Sequence, residues 1–216
     1  MSASKRRVLR WDPYEEPGEG CVEFRLTYEG LLLGSGNKNN RPAHKHDIRK
    51  AFHPQLKRLW EEHHFLNRLA TKEQRQLSGE TYLNSLANQY GMFGYRFAPL
   101  VRKRDSLLCA LDILVLRPGA RGGIVNAGDI DNRLKTLFDA LRTPENASEL
   151  GGAAPAEGED PFFCLLENDN LITHIAVETD RLLAPVGDSE NDNNVRLVIT
   201  VKIEPYAGNI FNSGFR

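Results

Sequence analysis

The run Leu107 to Leu116, LLCALDILVL, constrains the fold more than any other stretch of the chain. It is apolar at positions that would point to both sides of a strand, so both sides need cover, and a central strand over Asp105–Leu116 supplies it. Ten residues interrupted by Asp112 fall far short of the ~20 that cross a bilayer as a helix, so this run is a core element and not a membrane span. Arg117, Pro118 and Gly119 stop it. A chain of 216 residues with 40% apolar side chains can bury roughly 70% of the surface it exposes unfolded, and one domain over 1–216 is expected.

Other segments supply partners for that strand. From Cys21 to Leu33, Val22, Phe24, Leu26 and Tyr28 alternate with Glu23, Arg25, Thr27 and Glu29, the pattern of a half-buried strand. Val195–Ile203 alternates in the same way, and Phe162–Leu166 and Leu171–Val177 are apolar runs on either side of a polar turn. Apolar residues three and four apart predict one helix over Lys45–Leu69, kinked or restarted at Pro54, and a second beginning at the N-cap residue Asp129 and reaching Leu141. The expected fold class is α+β, a mixed sheet with two main helices packed on it. Residues 71–100 read as an insertion of undetermined shape, in which a short helix and a loop could lead to a strand at Tyr95–Phe97, and Thr143–Pro161, rich in Pro, Gly, Ala and acidic residues, reads as a flexible surface loop.

The opening MSASKRRVLRWDPYEE lacks an apolar stretch, so no secretory signal is expected. Cys21, Cys109 and Cys164 form no pairwise framework, which fits buried thiols in a reducing, cytoplasmic compartment. The net charge of −1 hides a division: 24 Lys and Arg against 16 Asp and Glu up to residue 142, then four against 13. Such asymmetry points toward an anionic partner or an acidic tail.

Chemistry concentrates in GDIDNRLKTLFDALR. Asp129 and Asp131 stand at a helix entrance, and Lys135 shares a face with Asp131 at i and i+4. Carboxylates so placed can converge on a divalent cation, since Mg²⁺ takes hard oxygen ligands; on their own they equally suit an N-cap and a first-turn charge. The turn ENDN adds an acidic group from a distant part of the chain, Asp169 first and Glu167 second, in a stretch that also reads as an ordinary Asn/Asp turn.

Asp129, Asp131, Asn132 and Lys135, continuing to Asp139, Ala140 and Leu141, followed by an acidic turn before a strand with Ile172, Ile175 and Val177, resemble the RusA-type Holliday junction resolvases and their D-x-D-N-x-x-K helix ending in D-A-L. The loop residues Asn39, Asn40 and Arg41 resemble that family too. The resemblance implies a Mg²⁺-dependent, structure-selective endonuclease of branched DNA, with Mn²⁺ as a substitute metal, working as a homodimer. It also implies that Asp129, Asp131 and Asp169 are catalytic, metal-binding carboxylates and that Lys135 stands near the scissile phosphate. DNA would be held by Arg41, Lys45, Arg49, Lys57, Arg58, Arg102, Lys103, Arg104, Arg117 and Arg121, contacts that position phosphates and carry little sequence information. Asn168 stands where the family has Asp, which leaves room for a nucleic-acid-binding or assembly protein that has lost cleavage. A third reading is a nuclease of a mobile element or defence system with another DNA substrate.

Rival chemistry is weaker. His44, His46, His53, His63 and His64 match no zinc spacing and read as surface or phosphate-contacting groups. No phosphate-binding glycine motif occurs, so no nucleotide cofactor is expected. Asp112 is expected to face solvent, and Trp11 and Trp60 to anchor the core.

Overall fold

The protein is described from a computed structural model, which covers residues 22–34, 42–71, 80–118, 129–184, 193–208 and 212–215. The alternating segments form a four-stranded sheet in the order β1-β7-β4-β6, from β1 (Val22–Leu31), β4 (Leu107–Arg117), β6 (Ile172–Arg181) and β7 (Asn194–Pro205). β7 is antiparallel to both β1 and β4, whereas β6 runs parallel to β4. β4 is thus internal, as its apolar run requires. Leu107, Cys109, Leu111, Ile113 and Val115 point to one face together with Val195, Leu197, Ile199, Val201 and Ile203, all nearly inaccessible. Each such aliphatic side chain contributes about 1.5–3 kcal/mol by leaving water. The alternate residues of β4 are half-buried on the other face, where Asp112 meets Lys202 Nζ at 2.6 Å.

Helices cover the apolar face. α1 (Pro42–Glu62) carries Ile48, Phe52, Leu56 and Trp60 into the core, and α4 (Asp129–Leu141) adds Leu137, Ala140 and Leu141. No restart occurs at Pro54. α1 runs through Pro54, which is exposed while Phe52, His53 and Leu56 around it are buried, so packing on one side holds the helix where one backbone bond is missing. The helical path breaks at His63 instead, and α2 (His64–Thr71) follows.

The segment 80–101, whose shape the sequence left undetermined, forms a helix and two strands. Residues 80–101 belong to the body: α3 (Tyr82–Gln89), capped by Thr81 Oγ1 accepting from Asn84 N at 3.2 Å, leads to β2 (Gly91–Met92) and β3 (Tyr95–Val101). These strands form a second sheet, β2-β3-β5, with β5 (Phe162–Leu166) parallel to β3. The acidic segment 143–161 is a largely exposed surface loop that is tied to the body near its start. Its 3-10 turn Ala147–Leu150 buries Glu149 and Leu150, and Gly151, at φ 61°, approaches α1 so closely that a Cβ would lie 2.7 Å from Ala43 Cα.

The two sheets meet at paired bends. β3 continues into β4 through residues 102–106, and β5 into β6 through residues 167–171, so one parallel ribbon follows another. The first bend is pinned by a buried Arg102–Asp105 ion pair and by Asn212 Nδ2 donating to Asp105 O at 2.7 Å. At the second, Glu167 N donates to Val101 O at 3.0 Å and Thr143 Oγ1 donates to Glu167 O at 2.8 Å.

Candidate functional site

α4 forms because Leu134, Leu137, Phe138 and Leu141 recur at helical spacing against the core, which leaves Asp131, Asn132 and Lys135 on the solvent side. Its first turns are anchored by buried Arg133, which donates to Leu32 O at 3.0 Å and to Asn193 Oδ1 at 2.9 Å. The helix entrance is thereby tied to the end of β1 and the start of β7. Asp129 is the first residue of the helix, and its side chain lies outside the described residues.

The polar turn between β5 and β6 closes as a 3-10 turn, Asp169–Leu171, that packs against α4 and β4. The fold therefore brings the ENDN turn, some 35 residues downstream in sequence, to the helix that presents Asp131 and Lys135. Asp169 is exposed, and neither its carboxylate nor that of Asp131 is engaged by another described residue. Glu167, the second choice there, is occupied: its Oε2 accepts from Lys103 N at 2.9 Å, and the Tyr90 hydroxyl bonds to it. Asn168 caps the turn, Oδ1 accepting from Asn170 N at 3.0 Å, a task Asn and Asp perform alike. An amide in place of a carboxylate at this position thus preserves the turn that presents Asp169.

Hard, unengaged carboxylate oxygens are the donor type that Mg²⁺ prefers, so Asp131 and Asp169 fit that ion. Among the described residues no group of three His, Cys, Asp or Glu side chains is arranged to hold a metal.

The expected phosphate contacts divide. Lys45, Arg49 and Arg102 are corrections: all three are buried. Lys45 Nζ lies 2.6 Å from Asp139 Oδ2, and Arg49 donates to Asp139 O at 2.7 Å and Arg142 O at 3.1 Å and pairs with Glu149 at 3.5 Å. Arg142 closes the network with Asp139 at 3.0 Å and Glu149 at 3.2 Å. Asp139 of the D-A-L segment is therefore an interior ion-pair partner. Exposed cations remain at Arg58, which pairs with Glu62 at 2.5 Å, and at Lys103 and Arg104 on the first bend, where Lys103 N donates to Glu167 and Arg104 donates to Gln89 Oε1 at 3.1 Å. Lys57 and Arg117 are half-buried, and Arg41 and Arg121 lie outside the described residues.

The histidines also depart from expectation. His46, His53 and His63 are interior, and desolvation lowers the pKa of each, that of His46 to about 4. His53 Nδ1 accepts from Phe163 N at 2.9 Å and its Nε2 meets Gly158 O at 3.2 Å, which fixes a neutral ring stacked 4.5 Å from Phe162. Cys109 and Cys164 are buried free thiols, pushed up to about 12 by desolvation, and Trp60 is a core residue. Cys21 and Trp11 lie outside the described residues.

Sequence reasoning missed Thr143 and Tyr90, which hold the acidic turn; both act on Glu167 from distant parts of the chain, and no local pattern marks them. No protein-family model, curated protein or solved structure matches this chain.

Proposed function

We propose that the chain is a Mg²⁺-dependent, structure-selective endonuclease that hydrolyses phosphodiester bonds in branched DNA such as Holliday junctions, and that it works as a homodimer. The observation that carries this reading is the packing of the Asp169 turn against α4, the helix that turns Asp131 and Lys135 to solvent. Asp131 and Asp169, with Asp129 at the helix entrance, would hold the metal, with Mn²⁺ as a substitute. When bound, the ion supplies Lewis-acid polarisation of the phosphodiester and a more acidic water.

The chain's own side chains do the rest. Lys135, one turn after Asp131, offsets charge that builds on the phosphoryl oxygens. Lys103 and Arg104 at the neighbouring bend hold flanking phosphates, and they do so as point charges without reading sequence. Arg133 keeps the helix entrance in register with the sheet, and the locked Glu167 keeps the Asp169 turn in place.

A labelled four-way junction, incubated with the protein in Mg²⁺ and then in EDTA, tests the reading. Nicking is expected in Mg²⁺ alone and is lost in Asp131→Asn and in Asp169→Asn. Nicking that persists in both variants would overturn the site. Binding without cleavage of any junction, flap or duplex would favour the binding or assembly protein.

A further inference from the structure

The proposed nuclease site leaves one long element of the larger sheet unexplained. Among the described residues β6 pairs only with β4, so this ten-residue strand is a sheet edge with one row of backbone groups unmatched. Its core-side residues are also uncovered. Ile175 and Val177 stand in register with the buried Leu111 and Ile113, yet they are 45% and 39% exposed. An edge strand carrying exposed aliphatic side chains is a template for another strand.

We propose that this edge takes a second copy of the same chain, β6 pairing antiparallel with the partner's β6 about a two-fold axis at Ala176. The sequence ITHIAVETDR is self-complementary in that register. Residues opposite each other in an antiparallel pair share a face. Ile175 of one copy then meets Val177 of the other on the core side, twice, and covers the two exposed aliphatic positions with each other. On the opposite face His174 meets Glu178 of the second copy, also twice. A shift of one residue in the pairing would bring Glu178 onto Ile175 and turn the apolar pair to the wrong face, so the pattern selects one alignment. On its own chain His174 already faces Asp112 at 3.7 Å, beside Lys202 on the next strand, so the opposing carboxylate extends an existing row of charges across the seam. The two sheets would join into one eight-stranded sheet, with an isologous interface in which each strand serves as both donor and acceptor.

The proposal gives the expected dimer a surface but does not depend on cleavage, and its test reads no nuclease activity. The axis places the two Ala176 Cα atoms about 4.5–5.5 Å apart, within the range of a disulfide. In a Cys21→Ser background of the full chain, Ala176→Cys is expected to yield a cross-linked dimer on mild oxidation. Thr179→Cys is expected to yield none, since its two copies would lie roughly 20 Å apart along the strands. Analytical ultracentrifugation supplies the second arm. Glu178→Lys, which sets a cation opposite His174, should raise the dimer dissociation constant roughly tenfold, and adding His174→Glu should restore it. A monomer at every concentration overturns the proposal. So does a dimer that ignores the charge exchange and fails to cross-link through residue 176, which would put the interface elsewhere.

Discussion

Asp131 and Asp169 carry the chemical claim at the scale of single residues, because neither is bound up in the fold. Replacing either carboxylate by its amide leaves the helix and the turn intact, so cleavage should drop by roughly 10³-fold, the several kcal/mol that a metal supplies to a phosphoryl transition state. Single-turnover rates on a junction, beside an unchanged circular dichroism spectrum, check this. A second residue-scale outcome concerns stability. Phe93 and Gly94 form the two-residue turn between β2 and β3, at φ 54° and 84°. Glycine adopts that left-handed conformation freely, whereas phenylalanine does not, and Phe93 is 43% exposed and has little packing to lose. Phe93→Asn should therefore raise stability by about 1 kcal/mol in urea denaturation.

Between elements, the decisive feature is the buried network of α1, α4 and the 3-10 turn after α4. Asp139 holds both Lys45 and Arg142, so Asp139→Asn leaves two interior cations short of a carboxylate and should cost about 3 kcal/mol, read from the urea midpoint. The interior histidines add a pH dependence. Below the ordinary imidazole value of about 6.5 an unfolded chain takes up protons that His46, His53 and His63 refuse in the fold. Stability is therefore full above pH 6.5 and falls as pH is lowered from there toward 4; His46→Gln should flatten that decline between pH 6.5 and 5. These features also mark the limit of sequence reading. The strands and α4 were legible because period-2 and period-3.6 patterns are local, and α4 matches its expected span from Asp129 to Leu141. The second sheet was not legible, because β3 and β5 pair in parallel across some 65 residues. Lys45 and Arg49 looked like a solvated basic face because their counter-ions, Asp139 and Glu149, come from about 90–100 residues away.

Across the whole molecule, the division of charge becomes an internal arrangement. Acidic residues of 143–161 answer cations from the first part of the chain: Glu149 meets Arg49, Glu159 meets Lys50 at 3.4 Å, and Asp160 holds Arg96 through two oxygens at 2.7 and 2.9 Å. The basic surplus therefore argues for a DNA partner less than the bare totals suggest, and the exposed Lys103 and Arg104 carry more of that argument than α1 does. The site itself was half legible. Its residue types and helical spacing stood in the sequence, whereas the meeting of α4 with the Asp169 turn depends on paired bends that only the assembled sheets reveal. No helix among the described residues is long and apolar enough to cross a membrane. If Asp129, Asp131 and Asp169 share one divalent ion, a Mn²⁺ titration of the full chain followed by electron paramagnetic resonance reads that sharing. Bound Mn²⁺ is expected, and it should be lost on changing any one of the three to Asn in a folded protein; Mn²⁺ binding unaltered in all three variants would rule the shared site out.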